Sequence, residues 1–160
     1  MSNEVMVTII VNGEPMTRAV EPRLGLADFL RAEGLTGTHV GCEHGVCGAC
    51  TVQVDGNTAR GCLMLAVQCD GLEVETVEGA TDSGRIKDLQ DAFIENNALQ
   101  CGFCTPGMLL SADELLRDNP LPSRDQIRLH LSGNYCRCTG YHAVVDAIEQ
   151  VATQRAGRAR

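Results

Sequence analysis

Apolar and β-branched residues run unbroken from Val5 to Val11 and stop at Asn12-Gly13, the dipeptide favoured by two-residue hairpin turns. A return strand is expected near Met16 to Val20. Between residues 24 and 32, Leu26, Phe29 and Leu30 share one helical stripe, and Gly34 is placed to stop the helix in the left-handed region. A loop carrying Gly37, Gly41, Gly45 and Gly48 follows. Thr51 to Val54, the turn Asp55-Gly56 and the run Leu72 to Val77 read as further strands. Hairpin, helix, loop and returning strands in this order predict a β-grasp unit over residues 1–79.

The period changes in the second half. Ile86, Leu89, Phe93 and Ile94 recur at helical spacing up to Asn96-Asn97. Thr105 is expected as an N-cap, with Pro106 in the first turn of a helix that carries Met108, Leu109, Leu115 and Leu116. Pro120 and Pro122 interrupt the chain. Ser123 and Gln126 form a capping box for a helix through Ile127 and Leu131 that Gly133 stops. Val144, Ile148 and Val151 mark a fourth helix, and Thr153 to Arg160 is expected to be a frayed, basic tail. Residues 80–160 are therefore predicted to form a four-helix bundle, and the whole chain to be α+β.

With 160 residues, 44% of them apolar, the chain can bury one medium core or two small ones. Its only aromatic rings are Phe29, Phe93, Phe103, Tyr135 and Tyr141, so bound metal would help to hold two small units together. The formal charge of −8 argues against nucleic acid, which requires a basic face. Met1-Ser2-Asn3-Glu4 lacks the basic start of a signal peptide, and the Val5 to Val11 run is too short to span a membrane. A cytoplasmic chain is expected, which disfavours nine cysteines as a disulfide framework.

Eight of those nine cysteines fall into two tetrads. Cys42, Cys47, Cys50 and Cys62 form C-x4-C-x2-C with a fourth cysteine after eleven residues, the plant-type [2Fe–2S] spacing. Cys101 and Cys104 form a C-x2-C, and Cys136 and Cys138 a later C-x-C. An anionic cluster needs donors that do not displace its ligands. Glycines at 41, 45 and 48 can take positive φ and turn backbone N–H groups towards sulfur. At the second tetrad, Cys104 and Cys138 are each expected at the start of a helix, where free N–H groups favour an anion and lower a thiol pKa.

Zinc is the competing reading for C-x2-C pairs, though a single glycine-rich C-x4-C-x2-C loop is unusual for it. A Rieske site fails because the second C-x2-H is missing. Cys69 reads as a small buried hydrophobe. His39, His44, His130 and His142 are expected at the surface or at caps. No glycine triplet sits in a strand–turn–helix unit, and no catalytic constellation is present.

The motifs, in order, resemble those of a known family. Gly41-Cys42-Glu43-His44-Gly45-Val46-Cys47-Gly48-Ala49-Cys50-Thr51-Val52 resembles the first cluster loop of the molybdenum hydroxylases. Gln100-Cys101-Gly102-Phe103-Cys104-Thr105-Pro106-Gly107-Met108 and Asn134-Tyr135-Cys136-Arg137-Cys138-Thr139-Gly140-Tyr141 resemble their second-cluster motifs. The similarity spans about residues 5–150 and is with the small iron–sulfur subunit of the xanthine dehydrogenase/aldehyde oxidase/carbon monoxide dehydrogenase family. It implies a plant-type ferredoxin-like domain followed by a helical [2Fe–2S] domain, with the second cluster nearer molybdenum and the first nearer FAD. It also implies that Gln100 and Cys138 contact a molybdopterin, in its cytosine dinucleotide form, on a large partner subunit. FAD would lie on a medium subunit, and the assembly would be a dimer of heterotrimers. Single electrons would cross this chain from the molybdopterin site towards FAD. The rival reading is an independent ferredoxin-like carrier.

Overall fold

A computed structural model describes residues 3–158. Strands β1 (Val5–Val11) and β2 (Glu14–Val20) pair antiparallel from Val5↔Val20 to Val11↔Glu14. Asn12 and Gly13 join them with φ of 52° and 84°, the left-handed pair that a type I′ turn demands. Helix α1 (Leu26–Ala32) follows, and Gly34 at φ 89° ends it as expected. Strand β3 (Thr51–Val54) turns through Asp55-Gly56 into β4 (Asn57–Arg60). Strand β5 (Glu73–Glu75) then enters the sheet between β1 and β3, parallel to the former and antiparallel to the latter. The order is β2-β1-β5-β3-β4, a mixed sheet.

Alternate residues Val7, Ile9 and Val11 point from β1 into the first core, where they meet Leu26, Phe29 and Leu30 of α1 with Val52 and Val74. Cys69, fully buried on a short 3₁₀ turn (Ala66–Cys69), packs in the same cluster as the small hydrophobe it was expected to be.

Two details of this half differ from the sequence reading. Strand β4 has no apolar alternation to announce it. The fifth strand stops at Glu75, because Thr76 donates its N–H to the Asn12 side chain at 2.8 Å and the chain turns into α2 (Val77–Asp82). Val77 therefore opens a helix and packs against the second core instead of ending a strand.

The helical half continues with α3 (Lys87–Glu95), α4 (Thr105–Asp118), α5 (Arg124–His130) and α6 (His142–Arg158). Phe93, Met108, Leu110, Ile127 and Ile148 are buried together at its centre. The Ser123/Gln126 capping box opens α5. The N-cap of α4 is Cys104, one residue before the expected Thr105, and no side chain caps it. The expected frayed tail is instead helical to Arg158, because Arg155 reaches back to Asp88 on α3 with two 2.8 Å hydrogen bonds. Residues 159 and 160 of that tail lie outside the described residues.

The two halves are joined by polar groups as well as apolar ones. Gln53 on β3 donates to the Leu110 carbonyl and to Asp113 on α4, while its own oxygen accepts from Arg85. Arg85 also pairs with Glu75 at 2.6 Å and with Asp113 at 3.1 Å. Glu114 of α4 accepts from both the N–H and the hydroxyl of Thr58, which satisfies the outer edge of β4. Among the described residues no helix is long and apolar enough to cross a membrane.

Candidate metal centres

The first tetrad sits on the loop between α1 and β3, with its last member just beyond β4. Glu43, Gly45 and Gly48 hold φ of 58°, 80° and 73°, which winds the loop tightly enough to bring its thiols together. Gly41, expected to take positive φ as well, does not. Its requirement is space, since a Cβ there would lie 3.2 Å from Cys47 Sγ and 3.4 Å from the Phe103 ring.

The thiols meet in pairs. Cys47 points its N–H at Cys42 Sγ at 3.5 Å, and Cys62 does the same to Cys50 Sγ at 3.4 Å. The Cys47 N–H, with help from that of His44, brings the Cys42 thiol down to about 6. Burial pushes Cys50 up to about 11, although the Cys62 N–H opposes it.

The second tetrad draws on two segments. Gly102, at φ 82°, lets the chain turn between Cys101 and Cys104. Cys101 Sγ and Cys138 Sγ lie 3.5 Å apart, and the Cys136 thiol stands close enough to Cys104 to help raise its pKa. Thr139 donates to Cys136 Sγ through its N–H at 3.2 Å and its hydroxyl at 3.1 Å. Burial raises the Cys136 pKa, but the Thr139 donors together with the Cys138 N–H and the Cys104 thiol bring the net shift down. Tyr141 accepts the Cys136 N–H on its phenol oxygen at 2.7 Å, which fixes the turn that carries Cys136 and Cys138.

Neither Cys104 nor Cys138 gains the lowered pKa expected from a helix start. Cys104 does open α4, yet burial pushes its thiol up to about 12, so desolvation wins over the helix N-terminus. Cys138 is not at a helix start, because α6 begins only at His142. Its pKa is raised: the Cys101 N–H lowers it, but donation of its own S–H to the Cys101 sulfur, with burial and the neighbouring thiols, prevails.

Gln100 and Cys138, the two residues expected to face a cofactor, are brought together at the surface, with Gln100 Nε2 donating to the Cys138 carbonyl at 3.1 Å. The histidines stand apart from ligation. His44 bonds the Cys42 carbonyl, His130 lies 3.5 Å from Glu114, and His142 lies 3.7 Å from Asp146 on α6. His39 does more than sit at the surface. Its ring stacks on Phe103 with centroids 4.6 Å apart, and its Nδ1–H donates to the Phe103 carbonyl at 2.7 Å, tying the approach to the first loop to the second.

Among the described residues, no three of His, Cys, Asp and Glu close round a single ion. A lone zinc requires four donors within about 2.3 Å of one point. Thiols arranged two by two, with N–H donors aimed at sulfur, suit a two-iron cluster that takes two thiolates on each iron. A coordinated cation would hold each as thiolate whatever its free pKa.

An α+β fold with two all-thiol tetrads defines a protein of the iron–sulfur class. Family comparisons agree: a 2Fe-2S iron–sulfur cluster binding domain matches residues 9–101, and a [2Fe-2S] binding domain matches residues 76–149. The chain is 53% identical over 156 residues to the caffeine dehydrogenase subunit gamma of Pseudomonas sp. (strain CBB1), covering 95% of this chain and 93% of that one. It is 39% identical over 150 residues to the xanthine dehydrogenase iron–sulfur-binding subunit of Escherichia coli O157:H7, covering 92% and 94%. Among solved structures it matches quinoline 2-oxidoreductase from Pseudomonas putida 86 with a TM-score of 0.91 and 51% identity, over 98% of each chain. The chain belongs to the small iron–sulfur subunits of the xanthine dehydrogenase family of molybdenum hydroxylases, and its role is electron transfer within an oxidoreductase complex.

Proposed function

We propose that Cys42, Cys47, Cys50 and Cys62 hold one [2Fe–2S] cluster in a β-grasp domain, residues 1–79, and that Cys101, Cys104, Cys136 and Cys138 hold a second in a four-helix bundle, residues 80–160. The close approach of cysteines within each tetrad carries this reading: backbone N–H groups of Cys47 and Cys62 on the sulfurs of Cys42 and Cys50, and Cys101 Sγ against Cys138 Sγ. The buried clusters support a division a few residues earlier, at the start of α2, since Val74 belongs to the first core and Val77 packs on the second. A bound cluster takes up and releases one electron at a time.

The chain's own groups fit that task in three ways. Cys47, Cys62 and Thr139 aim N–H donors at sulfur, which favours the anionic form and resists water. Phe103, stacked with His39, covers the ground between the two loops. Gln100 and Cys138 form an exposed edge where the remainder of the glutamine amide and the ligand sulfur can face a partner's pterin.

In this proposal the partner is a large subunit carrying molybdopterin in its cytosine dinucleotide form. A medium subunit carries FAD, the assembly is a dimer of heterotrimers in the cytoplasm, and this chain is the conducting link between the two cofactors. Commitment of eight of the nine cysteines to cluster ligation supports a reducing compartment. Caffeine and quinoline, named in two of the relatives, are both N-heteroaromatic, which supports that substrate class for the complex.

The exposed Cys101 and Cys138 favour a covering partner over an independent carrier. Gentle tagged purification tests the assignment. Molybdenum on a co-purifying large chain and flavin on a medium chain are expected, with N-heteroaromatics reducing the complex. An iron-loaded chain that elutes alone at low salt would support the independent carrier instead.

A further inference from the structure

We propose that Asn134 is a positioning residue that sets the electronic contact between the two thiolate loops. Its side chain is only 2% exposed, yet it belongs to neither tetrad. A carbonyl can only accept, so the amide Nδ2 must face Gly48 O, at 3.3 Å; it also lies 3.5 Å from Thr51 Oγ1. Oδ1 then accepts the Ser111 hydroxyl at 3.0 Å, from α4. One buried amide thus joins the first thiolate loop to the main helix of the second half. Every partner is itself desolvated, so none can exchange the bond for water without cost.

The residues beside Asn134 show what this joint holds in place. Tyr135 donates its backbone N–H to the carbonyl of Cys47 at 2.8 Å. Cys47 is a candidate ligand of the first cluster, and Tyr135 is covalently joined to Cys136, a candidate ligand of the second. The two tetrads are therefore linked ligand to ligand by one hydrogen bond and one peptide unit. Backbone atoms on both sides are packed too closely for a side chain. A Cβ on Gly48 would strike the Gly133 carbonyl, and one on Gly107 would strike the Gly48 carbonyl. Arg60 draws the Gly133 carbonyl in from the other side, at 2.8 Å. Asn134, like Arg60 from the opposite side, bonds both halves within this seam, and the Tyr135–Cys47 bond follows Asn134 directly in the chain.

The inference rests on the ligand assignment proposed above, and the test separates the two. The complex is reduced with dithionite and its low-temperature electron paramagnetic resonance recorded. Two distinct [2Fe–2S] signals in the wild-type protein test the ligand assignment; their absence would overturn that assignment and the inference with it. Magnetic splitting between the two signals tests Asn134. Asn134→Asp keeps the size and the acceptor for Ser111 but sets a second acceptor against Gly48 O. Loss or marked narrowing of the splitting is expected, with both signals and the full iron content retained. Ser111→Ala, which removes one hydroxyl, should narrow it less and serves as the deciding variant if Asn134→Asp does not fold. Unchanged splitting in a folded, fully loaded variant overturns the proposal. A residue that only stabilised the fold would lower the melting temperature without altering that splitting.

Discussion

Gln100 closes on Cys138 across 38 positions of sequence, its side-chain amide donating 3.1 Å to the Cys138 carbonyl. Both residues are exposed, so the bond does not serve the core. It orients a glutamine and a thiol side by side at an open edge of the second tetrad.

Gln100→Ala should therefore leave both clusters assembled and the melting temperature within about 0.5 kcal/mol equivalent of wild type, as expected for an exposed side chain. Its effect should fall on the partner: weaker retention of the molybdenum subunit, or slower cluster reduction by substrate in stopped-flow absorbance. Unchanged assembly and an unchanged rate would remove Gln100 from the interface.

Cys47→Ser should abolish one cluster and spare the other. The Cys47 carbonyl still accepts from Tyr135, because that bond is made by backbone, and so the second loop keeps its place. Iron content should fall by half, with one spectroscopic signal intact. Loss of both signals from well-folded protein would contradict two separate sites.

Gly107→Ala probes the joint between the halves. The added Cβ would meet the Gly48 carbonyl, and two backbones cannot both yield in a close-packed interior. A destabilisation of about 1–3 kcal/mol is expected, as for other overpacked sites. Gly140→Ala is the control, since nothing lies within 4 Å of its added Cβ. Thermal melts of the two variants check the contrast.

The acid limb of stability should depend on Asp88. Hydrogen bonds from Arg155 outweigh burial and hold its carboxyl below the ordinary value of 3.8. A carboxylate with a depressed folded pKa contributes stability that is complete above the unfolded value and is lost as pH falls through the lower, folded value. Asp88→Asn should cost about 1 kcal/mol at neutral pH, as for a partly exposed ion pair. The cost should shrink to nothing well below pH 3.8, so circular-dichroism melts of the two proteins converge in acid. A difference that persists undiminished in acid would contradict the pairing.

What can be read from the sequence is what a few neighbouring residues decide. Asn12-Gly13 needs only its own φ angles to make a hairpin, and Ser123 needs only Gln126 to open α5. The cysteine spacings are legible for the same reason, because ligands on one loop must be close in sequence. Elements decided by distant partners are not legible. Strand β4 is completed by Glu114 of α4, the end of α6 by Asp88, and the end of β5 by Asn12. The thiol of Cys104 follows its burial more than its helix, which local reasoning cannot weigh. His39 and Asn134 are missed because their roles exist only once the halves meet. Asn134 falls within the second-cluster motif, and that placement beside the ligand pair is the one signal that could have singled it out.

Whether eight thiols hold two two-iron clusters is decided by iron, acid-labile sulfide and zinc per chain in anaerobically purified protein. Two irons and two sulfides are expected for each tetrad, with zinc absent. Stoichiometric zinc without labile sulfide would contradict the two-cluster assignment.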